Sequence, residues 1–138
     1  MSGRTRPCDD KVTQGRLRKA EQFWTAAESV RELADDEMEI GDVYVTLCVH
    51  AGVAAADVVC CSALGEHSVG EDHAEAVALL RRTRPNGDDL AKALSALLGM
   101  KTRAGYGASP VNATDRKRAQ RQAERILRAA RDRTARFG

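Results

Sequence analysis

Residues 40–64 read IGDVYVTLCVHAGVAAADVVCCSAL, a run with two carboxylates, no lysine or arginine and no proline. So long a stretch without a turn signal exceeds an ordinary strand and predicts one helix. It should end at Gly65, where a left-handed C-cap suits glycine. The centre, AGVAAA at 51–56, has only small side chains, which lets neighbouring helices approach closely. The segment is therefore expected to be the central helix of a bundle.

Outward from it, the same periodicity recurs. Leu17, Ala20, Phe23, Trp24, Ala27, Val30 and Ala34 share one arc of a helix over 11–34, with Arg16, Lys19, Glu21, Glu28 and Glu32 largely elsewhere. The acidic stretch DDE at 35–37 breaks it. After a loop at 65–71, Asp72 and Glu75 have capping-box spacing and start a short helix over 73–82, with Val77 and Leu80 aligned. Pro85, Asn86 and Gly87 form a turn by composition. Leu90, Leu94, Leu97, Leu98 and Lys101 then mark a fourth helix, the stretch GYGASP at 105–110 a loop, and Asn112 the N-cap of a last helix over 113–136. Ala119, Ala123, Ile126, Leu127 and Ala130 give that helix a narrow apolar stripe, opposite Arg118, Arg121, Arg125 and Arg128. With 138 residues, five aromatics and 23 alanines, the chain suits one domain and lacks the material of a sandwich or barrel. The expected fold is all-α, an antiparallel up-and-down bundle of four long helices with a short fifth. It occupies residues 11–138, behind a flexible basic tail at 1–10.

The formal charge of +2 conceals segregation: residues 1–20 sum to +4, 21–80 to −12 and 81–138 to +10. Such fields point to charged partners and not to a fold. No apolar leader lies in residues 1–10, and the longest uncharged apolar stretch, 43–56, is shorter than the roughly 18 residues of a bilayer span, so a cytoplasmic protein without membrane contact is expected. Cys8, Cys48, Cys60 and Cys61 have no finger spacing, and an adjacent pair on a helix points two ways. Small buried thiols are expected, with no metal, cofactor or disulfide framework.

Few residues can carry chemistry. His50 and Asp57, seven apart on the most apolar helix, should form a structural polar pair, because burying either unbonded costs several kcal/mol. His67 falls in the glycine-flanked loop and is expected to face solvent. His73 opens the short helix on its inward face, where the helix dipole favours a neutral, base-competent imidazole. Lys101, Arg103 and Tyr106 bring two cations and an aromatic to the end of the fourth helix. A neutral histidine beside a cation is the minimum apparatus for metal-independent RNA cleavage, taking the 2′-hydroxyl proton while the cation steadies the phosphorane.

The order of a long amphipathic helix, VHAGVAAAD at 49–57, ALG at 63–65, GEDHAEAVALL at 70–80, Lys101 five residues before Tyr106, and a closing alanine-rich helix resembles the HEPN domain family over residues 15–135. The resemblance implies a dimerising helical bundle among metal-independent ribonucleases, nucleotide-binding modules and toxin or phage-defence components. The active pattern there is an arginine, four to six positions and a histidine. His73 matches the histidine. The arginine is absent: 66–70 read EHSVG, and His67 is the only stand-in for a cation. The resemblance thus implies a homodimer that binds RNA or nucleotide through His67, His73, Lys101, Arg103 and Tyr106, and at most a weak ribonuclease. The alternative expectation is a non-catalytic interaction protein engaging a partner such as a nucleotidyltransferase.

Overall fold

A computed structural model describes residues 4–70 and 72–135. The chain is mostly helical, in the order β1 (Thr5–Pro7), α1 (Asp10–Leu33), α2 (Glu37–Leu64), β2 (Glu66–Ser68), α3 (His73–Arg81), α4 (Gly87–Tyr106) and α5 (Ala113–Ala135). Each start has a local cause. Asp9 accepts from the Val12 amide at 2.8 Å to open α1, and Asp72 accepts from the Ala74 amide at 2.9 Å to open α3. Asn112 and Asp115 cap α5 reciprocally, each carboxyl or amide oxygen taking the other residue's backbone N–H at 3.3 and 2.7 Å. α4 begins earlier and ends later than its leucine stripe: Gly105 and Tyr106, expected in the loop, form its last turn.

α2 is the hub, packing against α1, α3, α4, α5 and β2. It is long and apolar enough, by length and composition alone, to cross a bilayer, yet 67% of its most apolar window is buried inside the protein. A Cβ at Gly52 would overlap the Cδ1 of Leu97, so the small centre of α2 lets α4 sit close. Gly65 ends the helix at φ +74°, and its amide bonds the Cys61 carbonyl at 2.9 Å. The expected arc of α1 is the one that is buried, at Ala20, Trp24 and Ala27. The α5 stripe is wholly buried at Ala119, Ala123, Ile126, Leu127 and Ala130.

The N-terminal segment departs from expectation. Residues 5–7 are a strand rather than part of a flexible tail, paired antiparallel with β2 in the register Thr5 to Ser68, Arg6 to His67 and Pro7 to Glu66. Residues 1–3 lie outside the described residues. β2 occupies part of the stretch expected as a loop. A disulfide between Cys8 and Cys61, with Cα atoms 5.4 Å apart, and a bond from the Cys8 amide to the Gly65 carbonyl at 2.9 Å fasten the strand to the end of α2. Only Cys48 and Cys60 are the buried thiols that all four cysteines were expected to be. The partners lie 53 residues apart, a distance over which sequence spacing carries no signal.

Candidate functional site

α3 and α4 run in opposite senses, so the first residue of one meets the last turns of the other. His73 follows directly on the Asp72 cap and is exposed. Lys101 extends the buried row Leu90, Leu94 and Leu97 past the end of the core, and its Nζ lies 2.9 Å from His73 Nε2. An ammonium can only donate, so in this contact His73 Nε2 takes the accepting role. His50 projects from α2 nearby and stacks on Phe23 of α1, with ring centroids 5.1 Å apart and planes 25° from parallel. Desolvation of its ring and, secondarily, the charge of Lys101 push its pKa below the usual imidazole value. An imidazole and an ammonium from two helices therefore meet at one end of α3, and the charge of that ammonium is felt at His50 of α2. That pair offers a proton acceptor and a positive charge to an anionic ligand.

The expected pairing of His50 with Asp57 does not form. Asp57, 9% exposed, is bound by Arg16 of α1, whose Nε donates to Oδ2 at 2.9 Å and whose second nitrogen lies at 2.8 Å. His67 Nδ1 approaches the same oxygen at 3.9 Å. Seven positions put two side chains on one helix face, but nearly 11 Å of rise separates them, about 1.5 Å per residue, and Asp57 finds a cation across the helix–helix contact instead. Burial pushes the Asp57 carboxyl above its ordinary pKa, opposed by Arg16 and then His67. His67 is correspondingly turned inward, 14% exposed at its side chain, and not out to solvent. Arg16 was missed because its position off the apolar arc of α1 reads as a solvated charge, and its partner is 41 residues away.

The grouping of Lys101, Arg103 and Tyr106 divides across α4. Lys101 faces α3, whereas Arg103 pairs with Asp115 of α5 at 3.4 Å and Tyr106 is 83% exposed. The outer side of α4 forms a shallow trough against α5, lined by Lys92, Ser95, Ala96, Gly99, Arg103 and Arg118 among others. Among the described residues, no three His, Cys, Asp or Glu side chains converge where they could hold a metal ion. Neither the models of protein families nor the curated proteins include a match to this chain.

Proposed function

We propose that this chain is an RNA- or nucleotide-binding helical domain of the HEPN kind, an up-and-down bundle of four long helices with α3 as the short fifth, acting as a homodimer. The observation that carries the reading is the 2.9 Å approach of Lys101 Nζ to His73 Nε2. The same ammonium also acts on His50, where burial of the ring biases the imidazole to the neutral form. A phosphate entering there takes an N–H from Lys101, which has three to give. Once Lys101 turns to the phosphate, His73 Nε2 is free to accept a proton. With RNA, that proton is the 2′-hydroxyl's: the 2′-oxygen bonds to phosphorus as the P–O5′ bond breaks, the departing 5′-oxygen takes a proton from water, and the ammonium balances the charge on the non-bridging oxygens. A lysine is a point charge and does not grip phosphate in the bidentate way of the missing arginine, so binding dominates and cleavage is weak.

Incubation of the protein with single-stranded RNA in EDTA tests both halves. Retention at low salt that falls in His73→Ala and Lys101→Ala supports the binding reading, and its absence in the wild type removes it. Cleavage by the wild type that His73→Ala abolishes supports the enzyme reading; cleavage absent from both leaves a binding domain only. The second reading, an interaction protein, draws on Leu33 at 84% and Val43 at 54% exposure beside the acidic stretch 35–37.

A further inference from the structure

The trough on the outer side of α4 is a separate surface from the His73–Lys101 contact, and its chemistry is more uniform. Lys92, Ser95, Ala96, Gly99, Arg103 and Tyr106 fall within one narrow arc of α4, at helical spacings of three, four and seven. Lys92, Ser95, Gly99, Arg103 and Tyr106 are all exposed, and Ala96 is half-buried. A Cβ placed on Gly99 would meet nothing within 4 Å, so the trough is open at Gly99, beside Ser95, Ala96 and the largely buried Met100. Its walls are cationic. Arg118 of α5 and Arg81 of α3 border it, and Asp115, already engaged with Arg103, is its one lining carboxylate. Lys92 and Arg118 make no ion pair or hydrogen bond among the described residues, so their charges are available. On α5 the row continues through the exposed Arg121 and Arg125, so that Arg118 to Arg125 extends the positive edge by about 10 Å at 1.5 Å per residue.

We infer that this face is the path of a single-stranded RNA backbone, with Tyr106 as the platform on which a base stacks at its end. The inference rests on the RNA-binding reading above and names where the strand runs. The trough is open at Gly99, and the unpaired Lys92 and Arg118, with Arg81 held only loosely by the exposed Asp88 at 3.8 Å, suit consecutive phosphates. An exposed aromatic at one end suits a base that is not already stacked in a duplex. An acidic protein is less well matched, because protein interfaces centre on aromatic or aliphatic anchors, and Met100, the large apolar side chain lining this trough, is 8% exposed and offers a partner little surface. The single aromatic and the lack of amide side chains in the trough also predict sequence-tolerant binding.

The test is fluorescence anisotropy with a fluorescein-labelled single-stranded uridine 12-mer and with the same length of RNA duplex, over a salt titration. The expected results are tighter binding of the single strand and a loss of about tenfold or more at low salt in K92A/R118A. That variant should also flatten the slope of log K against log salt by about 1.4, at about 0.7 for each phosphate that is no longer neutralised. Tyr106→Ala should lose about fivefold or more, and Tyr106→Phe should retain wild-type affinity, because stacking needs the ring and not the hydroxyl. R18A/K19A on α1 removes two exposed cations elsewhere and controls for net charge. Equal losses in K92A/R118A and R18A/K19A, or an unaltered Tyr106→Ala, overturn the proposed path while leaving the His73–Lys101 reading to its own variants. Wild-type protein that binds no RNA overturns both. Retention of poly-glutamate as strong as that of RNA at matched salt assigns the face to an acidic protein and overturns the path alone.

Discussion

Two glycines show how strongly a single position depends on what faces it. Both Gly15 in α1 and Gly52 in α2 are inside helices, where alanine is intrinsically better by about 0.5–1 kcal/mol. Around Gly15 a Cβ meets nothing within 4 Å, so Gly15→Ala should stabilise by about that amount. At Gly52 the same atom meets Leu97, which is fully buried and has no room to withdraw. Overpacking of this kind costs about 1–3 kcal/mol and outweighs the propensity gain, so Gly52→Ala should destabilise. Urea melts of the two variants should shift in opposite directions; a shared direction would show that α4 yields at this contact. His50 supplies a titration at the same scale. Its folded pKa is pushed below the ordinary 6.5, so the unfolded chain takes up the proton first. The stability tied to its neutral form is present above about pH 6.5 and lost as pH falls through the lower folded value. Melting temperatures between pH 7.5 and 5 should decline more steeply in wild type than in His50→Gln, and parallel profiles would dismiss this residue as the cause.

Between elements, the Arg16–Asp57–His67 group joins α1, α2 and β2 through one buried carboxylate. Arg16 retains 28% side-chain exposure and Asp57 only 12%, so removing the arginine strands a charge that water reaches poorly. Arg16→Ala should therefore cost about 2–3 kcal/mol near pH 8. The loss should shrink on acidification. Burial already raises the folded Asp57 pKa above the ordinary 3.8, and loss of Arg16 raises it further. The folded variant then binds the proton ahead of the folded wild type, and the recovery grows as pH falls through the variant's folded value until it is complete below that of the wild type. Chemical denaturation of the variant and wild type at pH 8 and pH 5 reads this directly; a pH-independent difference would mean that lost packing, and not charge, is responsible. The Glu21–Arg131 pair, which joins α1 to α5 by two bonds of 2.7 and 2.6 Å, is far more exposed and contributes correspondingly little.

At the scale of the molecule, the helices were legible and their cross-connections were not, for one physical reason. Apolar periodicity is a local property, so the buried arc of Ala20, Trp24 and Ala27, the Gly65 stop and the Asn112 cap could all be read along the chain. Contacts between distant segments leave no such trace, and the Cys8–Cys61 bond, the β1–β2 ribbon and the Arg16–Asp57 pair all belong to that class. Nearness in sequence misled in the opposite sense, because the turn of α4 sends Lys101 and Arg103 to different sides. Of the candidate site, His73 and Lys101 were expected only as members of one group with His67, Arg103 and Tyr106, and their direct approach comes from the packing of α3 on α4.

The disulfide has the largest consequence for the whole chain. It closes a loop over 53 residues that includes all of α1 and most of α2, and in the chain-entropy description a loop of that size is worth about 4 kcal/mol through restriction of the unfolded state. Persistent disulfides are commonest in oxidising surroundings. Reduction should lower the melting temperature by roughly 10 °C or more and release β1, raising amide exchange at β1 and β2 before the helices. Cys8→Ser should match the reduced wild type and be indifferent to reductant, because Cys48 and Cys60 remain buried thiols. An oxidised protein that melts together with Cys8→Ser would mean that the bond adds nothing to stability, and β1 would then be held by its pairing with β2 alone.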